Sequence, residues 1–417
     1  MSAFLALEEG YLEKLNHVER KKHLQKIKIV RHLYVKGARS NAEICNRFNI
    51  SSPTSMALLN ELMAEGLVEK QGRGESVGGR KPELYGLRNN SLFVLSIEME
   101  KFSTRMAIFD SNNNNITGTH TFPVRLSKNL SAVDELHHHA NSLILSSGID
   151  ADKLMGIGVS LPGLVSSKEG ASYTYLLTGQ SEMPLQDLLA LKFNKPVYIQ
   201  NDVKSATLAE YRFGAAQGKR DVLVLTLDWG IGLGVITDGK LRIGTSGFAG
   251  EFGHIPFIDD GVLCHCGKRG CLETVASGSA LARMAREGMQ SGQDTLLREL
   301  TGQELEKIEP QAIIQAANEG DQYAINILAE TGRSLGKGIA MLIQLFNPEL
   351  IIIGGKMAEA RQYITTPIQQ SINTYCMTQL RERTEIALSR LGQEAGILGP
   401  VATVMERIFE HRIESTK

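Results

Sequence analysis

A chain of 417 residues, 42% hydrophobic and 22% charged, has enough material for two or three globular domains. No apolar run is long enough to span a bilayer, and Met1–Gly10 lacks the basic-then-apolar order of a secretory signal. The net charge of −1 hides a split, with 15 Lys/Arg against 10 Asp/Glu in residues 1–90 and 30 against 36 in the rest, so only the head has the charge to meet a polyanion.

Residues 1–21 carry an amphipathic pattern through Phe4, Leu5, Tyr11, Leu12 and Leu15. The first strong helical period runs from Lys22 to Tyr34, with Leu24, Ile27, Val30, Leu33 and Tyr34 on one face and Gly37 as the stop. Ser40 with Glu43 three residues on is a capping box for a second helix. Ser51 or Ser52 caps a third, with Pro53 in its first turn and Leu58, Leu59 and Leu62 inward. Gly66 ends it, Leu67–Lys70 begins a strand, and Glu83–Leu87 returns after a glycine-rich tip at Gly72–Pro82. This is the order of a helix-turn-helix with a wing, a DNA-binding domain over residues 1–89. Its expected DNA contacts are Ser51, Ser52 and Thr54 at the third helix and Arg73, Arg80 and Lys81 on the wing. The third helix offers Ser52, Thr54, Met56 and Asn60 but no cation, so guanine reading by a bidentate Arg is not expected from it.

From Leu92 onward short β-rich runs alternate with helical ones. Strands are expected at Leu92–Met99, Arg105–Asp110, Leu154–Ser160, Val197–Gln200, Asp221–Leu227, Leu233–Thr237 and Leu350–Ile353. Helices are expected near Pro184–Phe193, Val203–Phe213, Ser279–Glu287, Tyr323–Phe346 and Thr366–Leu380. Alternation of this kind means α/β, and the two blocks either side of residue 210 suggest two lobes around a cleft. His137-His138-His139 falls in a helix, where consecutive residues fan around the axis and cannot converge on one metal. Asn112–Asn115 is a turn between strands.

Cys264, Cys266 and Cys271 fall within eight residues, and His254 lies ten positions before them. Three thiolates and an imidazole make a tetrahedral zinc site of the Cys3His type, and the glycines between them let the backbone curl. Read alone, the cluster fits a DNA-binding finger or a catalytic metal. The acidic neighbours Glu251 and Glu273 are not needed as ligands, which points to an ion that holds up something else. His265, between two converging cysteines, is expected to point away. Clustered cysteines also suit a reducing compartment, so a cytoplasmic protein is expected.

Gly253-His254, nine residues, then Cys264-x-Cys266-Gly267-x-x-Gly270-Cys271-Leu272-Glu273 resembles the signature of the ROK family, which groups sugar kinases, repressors and uncharacterised reading frames. Gly158–Gly163, Asn201-Asp202 with Ala209-Glu210, Gly230–Val235 and Ile353-Gly354-Gly355 are similar to the family in the same order, and the head fits its repressor branch. The resemblance implies an actin-like, ribonuclease-H-like two-lobed ATPase fold behind the winged head. It implies an N-lobe over 90–210, completed by a C-terminal helix at about 390–417, and a C-lobe with the zinc loop over 211–389. It also implies structural Zn2+ on His254, Cys264, Cys266 and Cys271, and sugar contacts from Gly163, Asn201, Asp202, Glu251, His254 and Glu273.

In family kinases the residue at Asp202 is a general base. Their phosphate loop is Asp-x-Gly-Gly-Thr, where this chain has Glu98-Met99-Glu100-Lys101-Phe102, and their Gly-Thr-Gly is here Asp228-Trp229-Gly230. A carboxylate ~4 Å from a phosphate charge costs about 4 kcal/mol at a partly exposed site, roughly a thousandfold in affinity. On that ground no catalysis is expected. The chain reads as a sugar-responsive repressor of carbohydrate genes that binds operator DNA and a sugar or sugar phosphate, pairs as a homodimer or homotetramer, and touches no membrane. An active sugar kinase with an added head is the alternative, with Asp202 catalytic.

Overall fold

Asn16 starts the first helix: its side chain accepts the Glu19 N–H at 3.0 Å while the Glu19 carboxylate accepts the Asn16 N–H at 2.9 Å. This capping box opens α1 (His17–Lys36) five residues before Lys22, because the apolar period marks only the stretch that reaches the core. The computed structural model describes residues 15–75, 81–179, 183–302 and 304–415. The suggested pattern through Phe4, Leu5, Tyr11 and Leu12, and the wing residue Arg80, lie outside those residues.

β1 (Arg39–Ser40) leads into α2 (Asn41–Phe48), which carries the expected Ser40–Glu43 box. Asn49 turns left-handed at φ 50°, and α3 (Ser52–Ala64) follows, with the Ser51 hydroxyl as its cap. β2 (Val68–Arg73) and β3 (Glu83–Leu87) form the wing, in a sheet ordered β1-β3-β2. Met56 is half-buried, with the Tyr85 hydroxyl 3.7 Å from its sulfur, so it packs the head rather than presenting itself to a ligand.

Residues up to Asp202, together with those from Ile397, form one unit, and Val203–Gly396 form another. In the first, β4 (Phe93–Met99), β5 (Thr104–Asp110) and β6 (His120–Phe122) are antiparallel. α4 (Ser131–Ser147), which carries the three histidines, leads to β7 (Leu154–Leu161). β7 pairs parallel with β4 and with the strand Val197–Asn201. The C-terminal helix Glu394–Ser415 packs on this sheet at its glycines. A Cβ at Gly158 would run into the Pro400 carbonyl, and Ser96 donates to the Ile397 carbonyl at 2.5 Å.

The head is not a bead on a linker. Ile27, Leu33, Leu59 and Leu62 share one buried cluster with Val94, Phe109 and Met155 of the first unit and Val401, Met405 and Phe409 of the C-terminal helix. Each such side chain contributes about 1.5–3 kcal/mol when fully buried. The turn at Asn112–Asn115 works as a clasp on the same seam. The Tyr34 hydroxyl bonds the Asn113 amide oxygen at 2.6 Å, Asn112 donates to the Leu87 carbonyl at 3.1 Å, and Ser111 donates to the Arg88 carbonyl at 2.6 Å. Asn113 sits at φ 61°, a left-handed position that Asn tolerates.

The second unit repeats the sheet. Val222–Leu227, Ile231–Thr237 and Lys240–Leu241 are antiparallel, and Leu350–Gly354 and Glu385–Leu388 add in parallel on the other side of the first. The expected helix at Thr366–Leu380 is two, Gln362–Tyr375 and Thr378–Arg381, because Cys376 leaves the helical region at φ −97°, ψ 144°.

Candidate metal loop and sugar-contact residues

The candidate metal ligands hang from a loop built by short bridges. Pro256 pairs with Cys271 and Leu263 with Arg269, and the Cys264 N–H donates to the Lys268 carbonyl at 2.7 Å. Gly267 and Gly270 turn left-handed at φ 84° and 70°, and a Cβ on Gly270 would strike the Ile258 carbonyl. The ligand atoms of His254, Cys264, Cys266 and Cys271 all lie within 4.8 Å of one another. Cys266 and Cys271 sulfurs are 3.6 Å apart, and Cys264 Sγ is 3.6 Å from His254 Nδ1. Sulfur and nitrogen ligands ~2.3 and ~2.0 Å from a tetrahedral ion lie ~3.5–3.8 Å from one another, so these residues fit a metal ion of zinc's size.

Burial drives the Cys271 thiol up to about 12, helped by the two neighbouring thiols, and raises Cys264 as well. Burial opposes ionisation at the exposed Cys266 too, but the Lys268 N–H and the two thiols outweigh it and lower that thiol. Three crowded thiols cannot all ionise without a cation among them.

His265 does not point away. Its Nδ1 lies 3.0 Å from Glu273 Oε1 and 3.8 Å from Cys264 Sγ, and its ring meets His254 edge-on at 5.1 Å. The turn through Gly267 folds its side chain back over the cluster, so His254, His265 and Glu273 form a second group within ligand distance. Glu273 is buried, and its Oε2 accepts the Ile231 N–H at 3.0 Å. It braces the metal loop against the sheet. Glu251 precedes the short turn Phe252–His254 and is exposed.

In the first unit, Asn201 donates to the Gly163 carbonyl at 3.0 Å and to Asp202 Oδ1 at 2.9 Å. Gly163 sits at φ 83° with Thr174 against it, so no other residue fits. Asp202 opens the helix Asp202–Phe213, where the peptide dipoles favour a carboxylate. The structure therefore brings Gly163, Asn201 and Asp202 together in one unit and Glu251, His254 and Glu273 into the other.

The hairpin Glu98–Arg105 closes through a Glu100 N–H to Ser103 carbonyl bond of 2.8 Å. Burial, with Glu100 and Asp202 nearby, pushes the Glu98 carboxyl up to about 7, although Arg105 pairs with it at 2.5 Å. Asp228 is held by a backbone contact: its Oδ1 accepts the Lys356 N–H at 2.7 Å. The run Gly230–Gly234 has a packing reason. Cβ atoms at Gly232 and Gly234 would collide with Val203 and Thr207 of the helix Asp202–Phe213, and one at Gly230 would lie 2.5 Å from Glu273 Oε2.

On the head, Ser51 and Thr54 hydroxyls bond each other at 2.8 Å and Ser52 accepts from Asn41 at 2.8 Å, so all three expected DNA contacts also brace the turn. Lys70 pairs with Glu83 across the wing at 2.7 Å. The sequence reading missed a basic cluster. Burial lowers His32, and Arg39, Arg47 and Lys36 lower it further. Only their charge could have signalled it.

The ROK family profile matches residues 94–407. The chain belongs to the ROK family. A winged helix-turn-helix DNA-binding profile matches residues 24–69, so the chain joins such a head to a sugar-kinase-like core. The xylose repressor of Caldicellulosiruptor bescii is 29% identical over 391 residues, 92% of this chain and 96% of that one. The crystal structure of a ROK family transcriptional regulator, a homolog of the E. coli MLC protein, superposes with a TM-score of 0.80 at 24% identity, covering 96% of this chain and 99% of that one. The fold is thus the actin-like α/β fold of the family behind a winged head.

The glucokinase of Thermotoga maritima is 35% identical over 260 residues, 62% of this chain and 82% of that one. This overturns the expectation of a chain without catalysis. The electrostatic argument counted Glu100, at a glycine position of the family loop, and Asp228 as uncompensated charges facing a nucleotide. Glu98 is paired with Arg105, Ser103 donates to Glu100 at 3.3 Å, and Asp228 is engaged by a backbone N–H. Among the described residues, no helix is long and apolar enough to cross a membrane.

Proposed function

We propose that the protein is a sugar-responsive repressor that binds operator DNA at carbohydrate-metabolism genes. The observation that carries this reading is the buried cluster joining head, sheet and C-terminal helix within the first unit. The strand that ends at Asn201 pairs with β7, β7 seats the C-terminal helix at Gly158, and Phe409 of that helix meets the Tyr34 ring at 5.9 Å. A ligand at Asn201 and Asp202 thus acts on packing continuous with the head, and shifts it by its differential affinity for two arrangements.

The sugar is contacted by Gly163, Asn201, Asp202, Glu251, His254 and Glu273. Carboxylates accept short, charge-assisted bonds from hydroxyls, and Asn201 both donates and accepts. Zn2+ on His254, Cys264, Cys266 and Cys271 is structural, and holds the loop that presents Glu251. With His254 Nδ1 turned to the ion, its Nε2 is left for a sugar hydroxyl. Operator contact comes from Ser51, Ser52 and Thr54, from Arg73, Arg80 and Lys81, and from phosphate pairing by Lys36, Arg39 and Arg47. Two heads in a homodimer or homotetramer would read paired half-sites.

Fluorescence anisotropy of promoter fragments, with a sugar panel screened by thermal shift, tests the reading. Sugar should release DNA, and Glu251→Ala should keep DNA binding while losing that release. Release that survives Glu251→Ala would remove this residue from the site.

A second reading, an ATP-dependent sugar kinase carrying a DNA-binding head, is favoured by Asp202 at its helix start beside Asn201. ADP release with magnesium, ATP and a hexose panel tests it, and turnover should vanish in Asp202→Asn.

A further inference from the structure

A cavity of about 340 Å3 lies on the seam between head and body in the first unit. Glu65–Leu67, where α3 turns into β2, form one wall, and Arg88–Leu92, Lys153 and Met155 form the other. Its charges are unequal. Glu65 pairs through Oε1 with the buried Lys26 of α1, which also lies 3.7 Å from Glu61, and its buried Oε2 has no hydrogen-bond partner, leaving an acceptor for a hydroxyl of an organic ligand. Arg88 and Lys153 have no carboxylate partner among the described residues. Ser91 is buried, 8% exposed, and its hydroxyl has no hydrogen-bond partner. A buried hydroxyl left without a partner loses the bonds it made to water, so an orphan on a cavity wall marks where a ligand atom belongs. The Arg88 backbone is fixed: its N–H donates to the Leu67 carbonyl at 2.9 Å and its carbonyl accepts from Ser111.

We propose that this cavity is a second small-molecule site, distinct from the sugar-contact residues, that takes a phosphorylated metabolite. Arg88 and Lys153 hold the phosphoryl oxygens and the Ser91 hydroxyl donates to one of them. Two cations and a hydroxyl suit a dianion, since guanidinium and ammonium groups give charge-assisted bonds to phosphate. The volume is at the lower end of small-molecule pockets, about 300–1,000 Å3, and leaves room for a small organic part beyond the phosphoryl group. Because one wall is head and the other body, an occupant tightens the seam and fixes the wing relative to the body.

The test uses the full chain in thermal shift and calorimetry, with inorganic phosphate, glycerol 3-phosphate and a hexose 6-phosphate, each against chloride at matched ionic strength. The organic phosphates should raise the melting temperature beyond chloride, inorganic phosphate less so. Arg88→Ala with Lys153→Ala should cut affinity about tenfold or more, as loss of two charge-assisted contacts requires, and Ser91→Ala should cut it less. Sugar-induced operator release should stay as in the wild type in the double variant, which separates this site from the sugar contacts. A shift confined to inorganic phosphate would assign the site to the free ion. Equal shifts in wild type and double variant, shifts lost in Arg80→Ala with Lys81→Ala instead, or no shift with any phosphate would overturn the proposal.

Discussion

In the first unit a five-stranded sheet backs onto the DNA-binding head; in the second a sheet of the same strand order carries the cysteine loop. Counting strands within each unit, both run 3-2-1-4-5, three antiparallel strands and then two parallel ones. The glycines show how the two were put to different use. Gly158 lies on the fourth strand of the first sheet and admits the C-terminal helix, which reaches the head. Gly232 and Gly234 lie on the second strand of the second sheet and admit the helix that begins at Asp202. Glu273 then reaches the same strand at Ile231 and ties the metal loop to it. One architecture thus holds a winged helix-turn-helix head on one copy and a loop of clustered cysteines on the other.

This contrast can be broken at either end, and the largest effect belongs to the metal. Cys271→Ser should abolish stoichiometric zinc by atomic absorption and destabilise the second unit by several kcal/mol, as loss of a structural ion does, while operator binding without sugar persists. Loss of DNA binding with an intact head would contradict the separation. On the other side, Gly158→Val should cost about 3 kcal/mol through overpacking against Pro400. It should weaken operator binding and leave zinc content unchanged.

The Glu98 carboxyl supplies a pH signature of the first unit. Its folded value, about 7, lies above the ordinary 4.5, so the folded state binds more protons between those values. Stability should therefore fall as pH rises through that window, and Glu98→Gln should remove the slope in urea midpoints. A slope unchanged in the variant would place its origin elsewhere. A smaller effect is expected at the clasp. Asn113→Ala, like Tyr34→Phe, should cost about 1 kcal/mol for one lost hydrogen bond, seen as faster proteolysis between head and body. Smallest is the wing. Lys81→Ala should lower the salt slope of operator binding by ~1, as loss of one phosphate contact predicts.

Much of this was legible beforehand. The Ser40–Glu43 box, a serine cap at Ser51 or Ser52 and the longer strands follow from local rules that tertiary contacts did not override, whereas the edge strands His120–Phe122, Lys240–Leu241 and Glu385–Leu388 carry no such pattern. The convergence of His254, Cys264, Cys266 and Cys271 was legible because three thiols and an imidazole at close spacing have few other uses. Asn16-x-x-Glu19 is an equally readable helix start, but apolar periodicity begins later and marks only the stretch that reaches the core. The rest depended on partners far along the chain. Alternating glycines in a strand look the same whether a phosphate or a helix approaches them, and only Val203 and Thr207 decide it. His265 stays exposed but lies over the cluster because Glu273 is beneath it. An Asn-rich turn gives no sign that Tyr34 will close on it from 79 residues away.

The central claim is that one chain couples a sugar to an operator through a shared core. The most direct test is a titration of promoter DNA with the full-length, zinc-loaded protein, with and without the sugar that raises its melting temperature most. The account predicts that saturating sugar weakens operator binding about tenfold or more, in the 1–3 kcal/mol range of coupling energies between linked sites. Operator affinity unchanged by a sugar whose binding is plain in calorimetry would contradict it.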